Sequence, residues 1–448
     1  MKLALALGLA SALVSQPLAA ADPPRPVDPS GVVPETPTIP SLLTLSEAVR
    51  LARTRGLDIL LAVSQVHSAE ADLQSAAAIP NPTASFAAGP TFNYTAHPAQ
   101  ACVGCQQYAL QWQLGDGNAI FDVLSGKRSL RRDAARASLE AAHLGRADAE
   151  RSLLGLVKQA YAQLVLARAS LDFSRETQAS LEATAALSRR RYPGVIDEGA
   201  LARIEVQALE AEQAVVSSQQ QLRQAQVALA LLLGVRAAIP DFEVERTLRT
   251  LRIPAELEGA TEESLLRIAV ATRPDLRASE QQIVRAEASV ALAKRNQVPD
   301  LGLFASYSQL GMGQNAGQPM NMVFGIQGTL PVFYQGQGEI RRAQADHLAT
   351  SVMAEKARAQ VVNDVAAALA SYRASRALVE RMEQLILPRA RRARDVVEMQ
   401  FRTGSATLMD FLDASRTWIA ANQEWLQDME AYWVAVFQLE QAIGRELR

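Results

Sequence analysis

Cysteine is almost missing from this 448-residue chain, which has only Cys102 and Cys105. So few thiols exclude a disulfide-stapled scaffold. Histidine is scarce as well, and His67, His143 and His347 fall in helical stretches with no second ligand at metal-binding spacing. Neither sign of charge dominates: 45 Lys and Arg against 47 Asp and Glu leave a net charge of -2, which gives no electrostatic case for nucleic acid. Beyond Ala21 there is no run of about 18 apolar residues, so no spanning helix is expected. A nucleophile elbow, a phosphate-cradling glycine loop and a His-Glu-x-x-His run are all absent. An enzyme reading has no residues to stand on, and no cofactor is expected.

What is present is helix-forming sequence in a long rhythm. Between Arg402 and Gly444 one helix is expected, with Phe411, Trp418, Trp425, Tyr432 and Leu439 at seven-residue steps beside Leu412, Ile419, Leu426 and Trp433. Ser415, Asn422, Met429 and Val436 complete a wide coiled-coil face. The tryptophans therefore read as packing residues. The same step occurs 210 positions earlier at Leu201, Ala208, Val215, Leu222 and Leu229, and Gly194 and Gly234 correspond to Gly404 and Gly444. An internal duplication follows. The Arg-rich spots, Arg189 to Arg191 and Arg389 to Arg394, read as solvated helix faces.

In chain order, residues 1–21 have the charged start, apolar middle and small-residue exit of a secretory signal. Cleavage is expected near Ala21, where no cysteine stands to carry a lipid. Residues 22–43 are a Pro-rich extension. The first repeat is 44–235, a linker occupies 236–261, the second repeat is 262–444, and 445–448 form a tail. Each repeat opens with a helix, Leu45 to Ala78 with Thr44 or Ser46 as cap and a break near Gly56, and Glu263 to Gln297 with a break at Pro274. A Pro stop ends each one.

Strand-like alternation comes next. Tyr108, Leu110, Trp112 and Leu114 alternate with polar neighbours, as do Met322, Phe324, Ile326 and Leu330, and Leu301, Leu303, Ala305 and Tyr307; Thr83 to Tyr94 is a weaker case. Four strands of roughly ten residues are long enough to cross a bilayer at barrel tilt. Alternation alone equally allows a small soluble sheet. Helices expected over Lys127 to Tyr192 and Gly336 to Arg402 would reach on the order of 90 Å, too long for a compact domain. Four strands cannot close a membrane barrel, and open edges in lipid leave backbone groups unpaired, so if the strands are in a membrane several chains must share one barrel.

These residues together resemble the TolC family of outer-membrane efflux channels from about Leu45 to Gly444. The resemblance rests on the two-fold repeat, on Leu330-Pro331-Val332-Phe333 followed by Glu339-Ile340-Arg341-Arg342-Ala343, and on the Phe401-x-x-Gly404 turn leading to Asp410-Phe411-Leu412-Asp413-Ala414. Gly194-Val195-Ile196-Asp197-Glu198, followed by Leu201 to Glu205, looks most like the heavy-metal, CzcC-like branch. The resemblance implies a mainly α protein with a small β part. Long helical hairpins would form a periplasmic α-barrel, and four strands per protomer would build a shared 12-stranded outer-membrane β-barrel in a homotrimer. It also implies contact with outer-membrane lipid, a periplasmic adaptor (membrane-fusion) protein and an inner-membrane pump of the RND type, with no nucleic acid. The expected function is a conduit from periplasm to exterior for metal cations or drugs. The alternative of a different class is a soluble periplasmic coiled-coil adaptor or scaffold, which would purify without detergent.

Asp410 and Asp413 share a helical face and stand where the resemblance places aperture carboxylates, which would form stacked rings in a trimer. Acidic residues in a first helical turn also complement the helix dipole and need no other role. Tip turns and adaptor contact are expected at Gly194, Asp197, Glu198, Gly199, Phe401, Arg402 and Gly404, with Gly194 and Gly404 permitting the reversals. Phe401 and Ala406 depart from the tyrosine and arginine of better-known members, so contacts among Arg402, Arg203, Glu198 and Asp197 are expected to hold the closed state instead. His97, Cys102 and Cys105 fall in an external loop and allow a local disulfide, free thiols, or an incomplete metal site.

Overall fold

A computed structural model describes residues 35–90, 108–192, 194, 197–310 and 321–447. The expected signal and most of the Pro-rich extension lie outside them. Thr44 opens α1 (Leu45–Arg55) with a capping box: its hydroxyl accepts from the Glu47 amide at 3.2 Å while Glu47 accepts from the Thr44 amide. Gly56 adopts an extended conformation that separates α1 from α2 (Leu57–Ala77). Strands β2 (Thr83–Pro90) and β3 (Tyr108–Gly115) follow a two-residue strand, β1 (Leu42–Leu43). A short helix α3 (Ala119–Leu124) leads into α4 (Lys127–Arg191). The 65 residues of α4 make a rod about 98 Å long. It turns back into α5 (Glu198–Leu232).

The second half repeats this order. After β4 (Glu243–Val244) come α6 (Glu262–Thr272), capped by Thr261, and α7 (Pro274–Arg295), which Pro274 starts because its missing N–H is not needed there. Strands β5 (Leu301–Leu310) and β6 (Asn321–Gly328) precede α8 (Gln337–Arg381), one π-helical turn at Met382–Ile386, and α9 (Leu387–Thr403). The last helix is α10 (Leu408–Ile443). In place of one α-helix from Gly336 to Arg402, the chain thus inserts a π-turn just ahead of Pro388. Leu330 also falls outside the strands, because β6 ends at Gly328 and Pro331 cannot extend the ladder.

The four longer strands form one antiparallel sheet in the order β2-β3-β5-β6. Paired residues share a face, so the register sorts the side chains. Phe86, Trp112, Tyr307 and Met322 lie in one row, with Ala84, Leu114, Ala305 and Phe324 in the next and Leu303 beside Ile326. The opposite face carries Ser85, Gln111, Gln113, Ser306, Ser308 and Gln327 together with Phe304 and Val323, and Gln113 donates to Gln327 at 2.9 Å. Strands β2 and β6 each pair on one side only among the described residues. One face is mainly apolar and the other mainly polar, and among the described residues neither outer strand has a second partner.

Below the sheet, α2 and α7 pack against the upper part of α4, and α7 also packs on α8. Buried Lys127 joins the halves at this level, donating to Val298 O and Asp300 Oδ1 at 2.7 Å each. Midway down, Tyr161 and Tyr432 are fully buried, with hydroxyls that donate to Leu43 O at 3.0 Å and Arg252 O at 2.7 Å. The heptad stripe of α10 supplies much of this core through Met429, Tyr432, Trp433, Val436 and Leu439. Gly234 and Gly444 end α5 and α10 in left-handed conformations at φ 83° and 71°.

Candidate aperture at the helical tips

The far ends of α4/α5 and α9/α10 meet in a second, separate apolar cluster built from Leu181, Ala185, Ile204, Phe401, Leu408 and Phe411. Phe401 and Phe411 stack with ring centroids 5.5 Å apart. Gly404 ends α9 at φ 83°, a conformation that strains any residue with a Cβ. Ser405 N then donates to Gln400 O at 2.8 Å, closing the turn.

Thr407 caps α10 in a second capping box. Its amide and hydroxyl donate to Asp410 Oδ2 at 3.0 and 2.6 Å, and the Asp410 amide donates back to the hydroxyl at 3.2 Å. The Thr407 hydroxyl, then its amide, hold the Asp410 carboxyl below the usual carboxylate range. Asp410 therefore has a local structural role whatever else it does. Asp413 is exposed on the next turn of the same face. In the first repeat Asp197 caps α5, accepting from Ala200 N at 2.7 Å, and Glu198 and Gly199 are exposed in its first turn.

Within the protomer, Arg402, Arg203, Glu198 and Asp197 do not pair with one another. Arg402 pairs with Glu398 one turn back at 2.6 Å, and Arg203 donates to the Met409 sulfur at 2.9 Å. Arg191 instead links the hairpins. It donates to Phe401 O at 3.0 Å and Arg402 O at 2.9 Å while its guanidinium lies 5.3 Å from the Phe401 ring centroid. As part of an arginine triplet it read as a solvated residue, yet it sits 210 positions before Phe401. Equivalent positions of the two repeats touch across the tip, which is the signal that could have found it. Arg394 likewise leaves the solvent, stacking 5.0 Å from the Trp418 ring centroid.

His97, Cys102 and Cys105 lie outside the described residues. Among those described, no three His, Cys, Asp or Glu side chains converge as a metal site, and no helix is long and apolar enough to cross a membrane.

The family model for outer membrane efflux protein matches residues 48–235 and 265–445. The cobalt-zinc-cadmium resistance protein CzcC of Cupriavidus metallidurans is 26% identical over 99% of this chain and 100% of its own. The pyoverdine export outer membrane protein OpmQ of Pseudomonas aeruginosa is 28% identical over 72% of this chain and 67% of its own. A solved structure of CusC superposes with a TM-score of 0.73 at 19% identity, covering 90% of this chain and 92% of that one. VceC of Vibrio cholerae gives 0.70 at 19%, covering 90% and 97%. These solved structures share the fold of two long hairpins under a four-stranded sheet. With both halves matched by one model, the chain belongs to the outer membrane efflux protein family and is the outer-membrane component of an efflux system.

Proposed function

We propose that the protein is a trimeric exit duct, in which three four-stranded sheets close into one 12-stranded barrel and three pairs of hairpins continue it as a helical tube across the periplasm. The observation that carries this reading is the sheet itself, with two edges unpaired among the described residues and one largely apolar face. Open edges are stable in lipid only when another strand completes them. Phe86, Leu114, Met322, Phe324 and Ile326 are each more than half exposed on that face, which suits hydrocarbon and not water. A soluble adaptor or scaffold would leave the same face wet.

The duct receives its cargo at the helical tips, where Asp410 and Asp413 of three copies form two carboxylate rings flanking the aperture. The tip turns, including Asp197, Glu198, Gly199, Phe401, Arg402 and Gly404, meet a periplasmic adaptor that links the duct to an RND-type inner-membrane pump. Likeness to a cobalt-zinc-cadmium resistance protein over the whole chain supports divalent metal cations as cargo, ahead of organic solutes. The test combines native mass in lipid nanodiscs, planar-bilayer conductance, and the sensitivity of a deletion strain to cobalt, zinc and cadmium against dyes and antibiotics. A detergent-independent monomer without conductance would remove the duct. Sensitivity to dyes but not metals would remove the proposed cargo.

A further inference from the structure

Glycine is out of place inside a strand, where it brings no side chain to pack and loses the most conformational freedom on folding. The polar face of the sheet nevertheless carries three near the ends that join the helices: Gly115 on β3, Gly302 on β5 and Gly325 on β6. Each has a neighbour's side chain in place of its own. A Cβ on Gly115 would stand 2.7 Å from Thr83 Oγ1, one on Gly302 2.5 Å from Asn118 Oδ1, and one on Gly325 2.6 Å from Phe304 Cζ. None of these separations leaves room for a methyl group.

Phe304 is the largest of these leaning side chains. Its row across the sheet reads Thr83, Gly115, Phe304, Gly325, and the ring reaches over β6 far enough for Cζ, its outermost carbon, to fill the space above Gly325. The ring therefore lies along the sheet instead of standing off it, and it is only half-exposed, whereas Phe324 on the other face is 75% exposed. A second contact crosses the same place. Gln113 pairs with Ser306, two residues after Phe304, and Gln327 pairs with Gly302, two residues before it. Their side-chain bond of 2.9 Å thus spans β5 at the level of Phe304 and links strands that are not neighbours. Side chains two strands apart meet on a face that curves toward them, so the polar face is the concave one.

We infer that Phe304 sets the bore at the foot of the β-barrel: seated over Gly325 and spanned by the Gln113–Gln327 bridge, its ring is kept out of the lumen. The inference rests on the duct reading, which makes the concave polar face the inside of a shared barrel. In three copies the rings then lie flat at one level, and none narrows the passage. A ring denied its seat has to turn away from β6. Toward β3 the space over Gly115 is filled by Thr83, and along β5 the space over Gly302 is filled by Asn118, so the ring rises into the lumen. The residue governs the size of cargo that passes the barrel, and not its charge.

Gly325→Ala removes the seat, Phe304→Ala removes the ring, and the double variant removes both. The full-length protein in planar bilayers is read by single-channel current, with polyethylene glycols of graded mass in the sheet-side chamber alone, so that the polymer cut-off reports the barrel and not the tips. Gly325→Ala is expected to lose current and to shut out polymers that the parent admits. Phe304→Ala, alone or with Gly325→Ala, matches the parent or admits larger ones. A parent-like cut-off in assembled Gly325→Ala, or a double variant as narrow as Gly325→Ala, overturns the proposal. Thermal unfolding in nanodiscs checks the seat without the pore: Gly325→Ala lowers the midpoint in the parent and not in Phe304→Ala, and an equal loss in both overturns the seat. Should Gly325→Ala fail to assemble, recovery of the assembled form in the double variant supports the seat and continued failure overturns it. If the unfolding cycle behaves as expected but no form, the parent included, passes current, the seat stands and the duct reading falls.

Discussion

Phe324→Arg tests which way the sheet faces. Phe324 stands near the middle of β6 in a row with Ala305, Leu114 and Ala84, and three quarters of it is exposed in the protomer. If that row faces hydrocarbon, each arginine near the midplane costs about 2–4 kcal/mol, or about 6–12 kcal/mol over three copies. The neighbouring Val323 has the same depth and the opposite face, in a row with Ser306, Gln113 and Ser85. Val323→Arg points into water and is expected within about 0.5 kcal/mol of the parent. The assay is the urea midpoint of the assembled protein in lipid, read by band shift, together with the yield in the outer-membrane fraction. Phe324→Arg should lower both sharply and Val323→Arg neither. Equal tolerance, or greater damage from Val323→Arg, would refute the assignment of the apolar face to lipid.

Asp410→Asn with Asp413→Asn should reduce the cation preference of the pore, measured as reversal potential in a salt gradient. Arg273 is buried and bonded to Asp275 and to Asp364 at 2.8 Å, so Arg273→Met should cost about 3–5 kcal/mol by leaving carboxylates unpaired, read by thermal unfolding. Burial opposes the charge of Asp275, but Arg273, with Arg151 beyond, outweighs it and holds the carboxyl below its usual range. Its folded pKa is therefore below the unfolded value of about 3.9, so its contribution is present above that pH and lost as pH falls through the folded pKa. An acid titration of stability should show this loss in the parent and a smaller one in Arg273→Met. Gly404→Ala should cost about 1–2 kcal/mol through the left-handed φ of 83°; unchanged hydrogen exchange at that tip would contradict the strain.

Much of the fold was legible because it is written in local periodicity. Lys127 to Arg191 forms helix because nothing in those 65 residues breaks it, and Thr83–Pro90 through Asn321–Gly328 form strands where apolar residues alternate. Thr44 was chosen over Ser46 as cap because only its hydroxyl reaches the Glu47 amide. The site was harder to read. Arg191 looked like one of three solvated arginines until α9 ended within reach of it, and Arg402 bonded within its own helix.

By itself the sequence determined the helices, the strands, their order and the repeated plan, since each follows from the spacing of apolar residues and from where proline and glycine interrupt it. Only the tertiary structure decided which strand lies next to which, that β2 and β6 each keep one side unpaired among the described residues, and that Arg191 closes over α9. These depend on contacts between residues some two hundred positions apart, and no local pattern encodes the distance across a packed pair of rods.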